Sequence, residues 1–412
     1  MRLGSILVAL ALVTGCSASP GDGPVDGAVP SDSDQPDAPF PEVAGTPGSE
    51  PDGSTSEDAG PGEDAGPGED DAGPDQDGGI EAPDAGPGEP LVYRNGVLGE
   101  SGDPHCARFG DTYYLYLPDQ IRRDGEGVGG RVILHTSQDL VHWTRVGAVY
   151  DNVDEAYGGQ QTIGLWAPEV FAHGGRYYLY YVNVMSGARD ERVGDKDVVV
   201  IASDDPTDFR GGTRTVLLDD DFAFIDPSAF EDPSTGRLYL LFKRRGAFGT
   251  GSEIRIRPLA RPAAFSGEAT TLLESESVPD SHQILEHPMM WRQGGVYFLL
   301  FSKGDGAGTT YQIAYATSGA PDGTFVQRGS VFRSDADLAG DLSRRVIAPG
   351  ASSIVRDGAG RTWMVYRQKK TTEDTFADRQ VCIDPITIDP PAREIRGNPT
   401  RGVVRPGPTP LP

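Results

Sequence analysis

A short pattern that recurs five times along the chain constrains the fold more than any other feature. Each copy begins with a glycine, continues with one or two variable residues and ends in a run of aromatic and aliphatic residues. The copies begin at Gly110, Gly175, Gly236, Gly295 and Gly360. A turn glycine followed by β-forming residues is typical of a hairpin that enters a buried strand. The repeat therefore predicts five similar sheets.

The spacing of the copies favours a closed arrangement of these sheets. Successive glycines lie 59 to 65 residues apart, so five units fill residues 91–412. A regular period with several strands per copy is typical of radially arranged sheets, in which each sheet covers edges and faces that its neighbour exposes. We therefore predict an all-β domain over 91–412, folded as a five-bladed β-propeller.

The first sixteen residues have the features of an export signal. Arg2 precedes a short apolar run over 6–13, which is too short to span a bilayer. The residues that end in Cys16 resemble the lipobox of bacterial lipoproteins, which implies that Cys16 is acylated and becomes the new N-terminus. Because Ser17 rather than Asp follows, the resemblance implies a lipid anchor in the bacterial cell envelope, at the outer membrane or cell surface. An ordinary signal peptide over 1–16 is the alternative.

Residues 17–90 carry most of the negative charge of the chain. They contribute −20 to a net charge of −26, and Phe40 is their one aromatic residue. Such a segment cannot bury enough apolar surface to offset its chain entropy, so we predict a disordered linker. It would act as a spacer, or as filler without a role. The chain has no basic stripe that could follow phosphates, so we expect no nucleic-acid partner.

Four of the five repeats carry an acidic residue beside a proline, a few residues ahead of the strand pair. These positions are Asp103-Pro104, Pro168-Glu169, Asp226-Pro227 and Glu286-His-Pro288. In a propeller this segment forms the innermost strand, so radial symmetry predicts that the four carboxylates gather at one end of the axis. Carboxyl groups that are forced together raise one another's pKa, so such a cluster indicates a function. The alternative is that these acidic residues and prolines only begin turns.

Glycoside hydrolysis is the chemistry that best uses such a cluster. One carboxylic acid protonates the departing oxygen, and a carboxylate activates water or attacks the anomeric carbon. A third carboxylate can hold the pKa of the acid up and orient it.

Residues 91–412 resemble glycoside hydrolase family 43. The resemblance rests on four motifs in order, over 102–116, 165–170, 224–230 and 286–298. It implies an inverting enzyme with Asp103 as the general base, Asp226 as the residue that modulates the pKa of the acid, and Glu286 as the general acid. It also implies substrates that contain arabinose or xylose. Trp166 lies where the family has an aromatic residue near the sugar, and core packing is the alternative for its side chain. Glu169 occupies a family motif position, for which the resemblance implies support of the site without a catalytic role.

Two departures from the family pattern lie in the fifth repeat. Ala351 stands where the family commonly has a histidine near a metal ion or an ordered water, and Arg367 stands where a histidine often ends the next strand. We therefore expect no metal and no other cofactor. His287 adjoins Glu286, but neighbours on a strand point to opposite faces, so we expect it to point away from the acid.

Some alternatives stay open at this point. We expect a monomer that acts on a carbohydrate substrate, and loops decide whether cleavage is endo or exo. A catalytically silent glycan-binding propeller and a glycosidase of a neighbouring family that acts on fructosides or mannosides are the other functions. Cys106 and Cys382 fall in the first and last repeats, and we favour two unpaired buried thiols over a disulfide.

Overall fold

The structure is a computed structural model that describes residues 90–99, 102–123, 126–153, 156–157, 160–185, 196–218, 224–245 and 251–412. The predicted signal peptide over 1–16, its lipidation site Cys16 and nearly all of the predicted linker over 17–90 lie outside these residues. Within them, no helix combines the length and the apolar character that a membrane span requires. The described part contains strands and two short 3₁₀-helices, Ser275–Ser277 and Leu342–Arg344.

The chain enters the fold as β1 (Val92–Tyr93), which pairs with β24 (Arg405–Pro406) near its end. Between them lie five antiparallel sheets, called blades 1 to 5 in chain order. Blade 1 contains β2 (His105–Phe109), β3 (Thr112–Arg123), β4 (Glu126–Ser137) and β5 (Thr144–Asp151). Blade 2 contains β6 (Ala156–Tyr157), β7 (Gln160–His173), β8 (Arg176–Met185), β9 (Lys196–Ser203) and β10 (Thr213–Leu218).

The remaining three blades repeat this arrangement. Blade 3 contains β11 (Phe224–Glu231), β12 (Leu238–Arg245), β13 (Ser252–Arg261), β14 (Ala264–Phe265) and β15 (Thr270–Glu274). Blade 4 contains β16 (Leu285–Gln293), β17 (Val296–Lys303), β18 (Gln312–Ser318) and β19 (Val326–Phe332). Blade 5 contains β20 (Gly350–Arg356), β21 (Thr362–Lys369), β22 (Arg379–Asp389) and β23 (Glu394–Gly397).

The blades form a closed ring. The strands β2, β7, β11, β16 and β20 contact one another in that order, and β20 contacts β2 again. Five clusters of buried apolar side chains fill the spaces between adjacent blades, including the space between blades 5 and 1. Leu240, which is fully buried between blades 2 and 3, is one such side chain, and burial of a leucine contributes about 1.5–3 kcal/mol. The predicted all-β, five-bladed propeller is confirmed.

The repeated glycine of the sequence pattern has one structural role in all five blades. Each lies in the turn that precedes the second strand of the sheet, with φ between 58 and 77°. An L-residue with a Cβ is disfavoured in this left-handed region, so the turn explains why glycine recurs there.

The two cysteines of the ring are free and buried, as the sequence predicts. Cys106 packs between blades 5 and 1, and Cys382 packs between blades 4 and 5. A hydrogen bond instead joins the first and last blades, in which the hydroxyl of Ser353 accepts from the backbone N–H of Cys106 over 3.1 Å. The entering strand β1 is also tied to blade 5, since the hydroxyl of Tyr93 donates to Asp384 over 2.9 Å.

A β-bulge interrupts the innermost strand at the same place in blades 2 to 5. The pairing register shifts between Trp166 and Glu169, Ile225 and Ser228, Glu286 and Met289, and Gly350 and Ser353. The first bulged residue has a φ of 43 to 56° in each case, and these residues are Ala167, Asp226, His287 and Ala351. Because a bulge inserts an extra residue, it breaks the alternation of side chains along the strand.

Candidate active site

The bulges decide where the predicted carboxylates lie. Asp226 is the first bulged residue of β11, whereas Glu286 immediately precedes its bulge and Glu169 immediately follows its own. Although each stands beside or near a proline, these acidic residues therefore do not occupy equivalent positions of the repeat. Asp103, Asp226 and Glu286 nevertheless lie close together, because His287, the residue after Glu286 in blade 4, lies beside Asp226 of blade 3 and Asp103 of blade 1.

Asp103 lies two residues ahead of β2, and two arginines of blade 5 bind it. Its Oδ1 accepts hydrogen bonds from Nε of Arg367 over 2.9 Å and from Nη1 of Arg379 over 3.0 Å. Burial alone would raise the pKa of this carboxyl, but Arg379, His287 and Arg367 outweigh it and hold the pKa well below its usual value. Asp103 is therefore ionised over the whole physiological range of pH.

Glu286 is held by one residue of blade 3 and one of blade 4. Its Oε2 accepts from Nζ of Lys243 over 2.7 Å, and its Oε1 accepts from the hydroxyl of Tyr311 over 2.6 Å. Burial alone would raise the pKa of the carboxyl, but the charges of Lys243 and His287 outweigh burial and lower the pKa to about 2. Without substrate, Glu286 is therefore a carboxylate.

Asp226 is the most buried of the three carboxyl groups, with 6% of its surface exposed. Its Oδ2 accepts from the backbone N–H of His287 over 3.0 Å. Burial raises the pKa of Asp226, and the charge of Glu286 acts in the same direction against the opposing effect of His287. Asp226 is thus the carboxyl group of the cluster that most favours the protonated form.

The imidazole of His287 lies between the two aspartates. Its Nδ1 is 3.6 Å from Oδ1 of Asp226, and its Nε2 is 3.5 Å from Oδ1 of Asp103. The expectation that His287 points away from the cluster is wrong, because the bulge and the φ of 49° redirect its side chain. The sequence contains a signal of this placement. A proline follows His287 just as one follows Asp226, which indicates that these two residues share a position in the repeat.

Glu169 lies at the joint between blades 2 and 3. Its Oε1 accepts from the backbone N–H of Ala229 over 2.6 Å, and its Oε2 is 3.7 Å from Nδ1 of His105. Burial raises the pKa of Glu169 to about 8 and lowers that of His105 to about 4. These contacts link Glu169 to blades 1 and 3 and agree with the supporting role that the resemblance implies, whereas its described hydrogen bond and ion pair involve none of Asp103, Asp226 and Glu286.

Trp166 immediately precedes the bulge of β7, the position that Glu286 has in β16. Its side chain is 36% exposed, and Nζ of Lys196 lies 5.1 Å from the centre of the ring. This exposure disfavours the core-packing alternative and leaves part of the ring accessible to a ligand.

Sequence reasoning missed Lys243 and Arg379 and named Arg367 only as a departure from the family pattern, without a role at the site. Lys243 and Arg367 stand near the ends of buried apolar strands, and Arg379 begins β22. A charge that ends an otherwise apolar strand was the signal that could have found the first two. Among the described residues, no group of three or more His, Cys, Asp or Glu side chains is arranged to hold a metal ion.

The family model described as "Glycosyl hydrolases family 43" matches residues 93–391. A probable arabinan endo-1,5-α-L-arabinosidase C of Aspergillus niger is 28% identical over 240 residues, which are 53% of this chain and 71% of that protein. The extracellular exo-α-(1→5)-L-arabinofuranosidase ArbA of Cellvibrio japonicus is 26% identical over 257 residues, which are 55% of this chain and 66% of that protein.

A solved structure has the same fold. The crystal structure of a thermostable family-43 glycoside hydrolase superimposes with a TM-score of 0.64 and 21% identity, over 77% of this chain and 99% of that one.

Proposed function

This chain belongs to glycosyl hydrolases family 43 and is a glycoside hydrolase, and we propose that it cleaves arabinose- or xylose-containing glycans with inversion of configuration. The observation that carries the proposal is the arrangement of Asp103, Asp226 and Glu286 around His287 at one end of the ring. The relatives named for arabinan and arabinofuranoside cleavage support the substrate class.

Asp103 is proposed as the general base. A base must be ionised to accept a proton from water, and the two arginines ensure this. The same arginines lower the basicity of Asp103. Because both donate to Oδ1, they also hold the carboxylate in position.

Glu286 is proposed as the general acid, and Asp226 as the group that modulates it. The acid must carry a proton when the glycosidic oxygen departs, whereas Lys243 favours the ionised form of Glu286. A bound sugar displaces water and increases the desolvation of the carboxyl, which raises its pKa. The negative charge of Asp226, when ionised, acts in the same direction.

Two conservative substitutions test these roles. Asp103→Asn and Glu286→Gln should each lower kcat/KM for an aryl α-L-arabinofuranoside or an aryl β-D-xyloside by about 10²–10⁴-fold. Glu231→Gln is the matched control, since Glu231 lies on the strand of Asp226 but pairs with His173 at the surface. NMR of the first-formed sugar distinguishes inversion from retention. Unchanged turnover in both variants, or a retained anomeric configuration, would contradict the proposal.

We further propose that the enzyme is a monomer, anchored in the cell envelope through a lipid on Cys16 and separated from the membrane by the 17–90 linker. The lipobox-like residues before Cys16 and the acidic, proline-rich composition that follows support this location.

A further inference from the structure

The loop between β21 and β22 exposes a large aromatic side chain. Phe376 is 62% exposed, and among the described residues it and Trp166 are the two exposed phenylalanine or tryptophan side chains. Aromatic side chains contribute most to the stability of a fold or a complex when they are buried. A phenylalanine that is exposed beside a catalytic site therefore indicates a site where a ligand binds.

The loop that carries Phe376 is held in place. The fully buried Lys369 donates to the backbone carbonyl of Thr375 over 2.8 Å, and also to those of Ala307 and Glu373. The backbone N–H of Thr375 donates to the carbonyl of Ala307 over 3.2 Å. These bonds join the loop to the 304–310 loop of blade 4. The ring is therefore presented in a defined position, which lowers the entropic cost of binding a ligand against it.

Phe376 lies at the edge of the catalytic cluster. A Cβ placed on Gly306 would lie 3.4 Å from Cε1 of Phe376 and 3.6 Å from Oε1 of Glu286. The guanidinium of Arg379 lies 4.7 Å from the centre of the Phe376 ring, and the same guanidinium binds Asp103. One edge of the ring thus lies within about 7 Å of Glu286, across Gly306, and Arg379 links the ring to Asp103.

We propose that Phe376 is the binding platform for the sugar that leaves in the reaction. This inference rests on the proposed function, in which Glu286 protonates the glycosidic oxygen. Groups beside the acid carboxyl contact the leaving-group side of the scissile bond. The apolar C–H face of a neutral pentose can pack on the exposed part of an aromatic ring, which gives this subsite its chemical class of ligand.

Substrates that differ only in the leaving group test this assignment. α-L-Arabinofuranosyl and β-D-xylosyl fluorides have no sugar on the leaving side, whereas 1,5-α-arabinotriose and 1,4-β-xylotriose do. Phe376→Ala should lower the ratio of kcat/KM for the triose to kcat/KM for the fluoride by about tenfold, the effect of about 1.4 kcal/mol of stacking. Phe376→Tyr keeps the ring and should keep the ratio within about twofold of that of the wild type.

The control is Val326→Ala, which removes another exposed apolar side chain, on the outer strand of blade 4. It should leave the ratio unchanged. A ratio that Phe376→Ala also leaves unchanged, with the wild type active on both substrates, overturns this inference alone. A wild type that hydrolyses neither kind of substrate overturns the proposed function and the inference with it.

Discussion

Lys243 donates a hydrogen bond of 2.7 Å to Glu286, which lies 43 residues further along the chain and in the next blade. Both side chains are largely buried, at 8% and 16% exposure, so their attraction is weakly screened. The positive charge of Lys243 thus lies directly beside Glu286, the group that should donate a proton. We therefore expect Lys243 to set the pH range in which Glu286 can act as the proposed acid catalyst.

Removal of that charge should extend activity to higher pH. An acid catalyst loses activity as pH rises through its pKa, and Lys243 lowers the pKa of Glu286. Lys243→Met raises that pKa, so the alkaline limb of the kcat/KM profile should move upward by about one pH unit or more. Arg244→Met is the control, since Arg244 is the next residue on β12 and pairs with Glu253. An alkaline limb that stays in place would show that Glu286 is not the titrating acid.

His287 should affect both limbs of the same profile, because its charge lowers the pKa of Asp103 as well as that of Glu286. The acidic limb is the one that reports on the base, since the base loses activity as pH falls through its pKa. His287→Asn should raise the pKa of Asp103, move the acidic limb to higher pH and lower kcat/KM by about tenfold or more. Asparagine is chosen because it tolerates the φ of 49°.

The matched control for His287→Asn is His173→Asn, since His173 forms a comparable pair with Glu231 at the surface. A loss of activity without movement of the acidic limb would contradict the role of His287 beside Asp103.

Glu169 should make the folded protein less stable as the pH rises. Burial raises the pKa of Glu169 in the folded state from its ordinary value of 4.5 to about 8. Above the lower value the unfolded chain ionises while the folded one stays protonated, so stability falls as pH rises from about 5 to 8. Glu169→Gln keeps an oxygen for the N–H of Ala229 and removes this effect.

Thermal unfolding measures the difference. The melting temperature of Glu169→Gln should exceed that of the wild type by about 2 °C or more at pH 8 and match it at pH 4. A variant that is less stable than the wild type at pH 8 would mean that Glu169 is ionised in the folded state.

The lipid anchor can be tested in cells. The full-length chain should incorporate labelled fatty acid, and Cys16→Ser should abolish the label and release the protein from the membrane fraction. Ser17→Ala is the control and should keep the label. A secreted wild type without label would show that 1–16 is an ordinary signal peptide.

Part of the site could be predicted because its residues stand beside local signals. Asp103 and Asp226 precede prolines, and Glu286 lies within a motif ahead of a repeat strand. Their partners carry no such signal. Asp103 and Arg367 are 264 residues apart and meet only because blade 5 closes on blade 1. Pairing across the ring depends on register and closure, which no local pattern contains.

The sequence alone determined the number of blades and the turn at each repeat glycine, and it pointed to Asp103, Asp226 and Glu286, since strand period, turn chemistry and short motifs are local properties of the chain. Only the tertiary structure decided that Glu169 serves a blade joint, that His287 turns inward and that Lys243 neutralises Glu286. The physical reason is that a bulge reverses the direction of a side chain, and that charges from separate blades become neighbours only once the ring is packed.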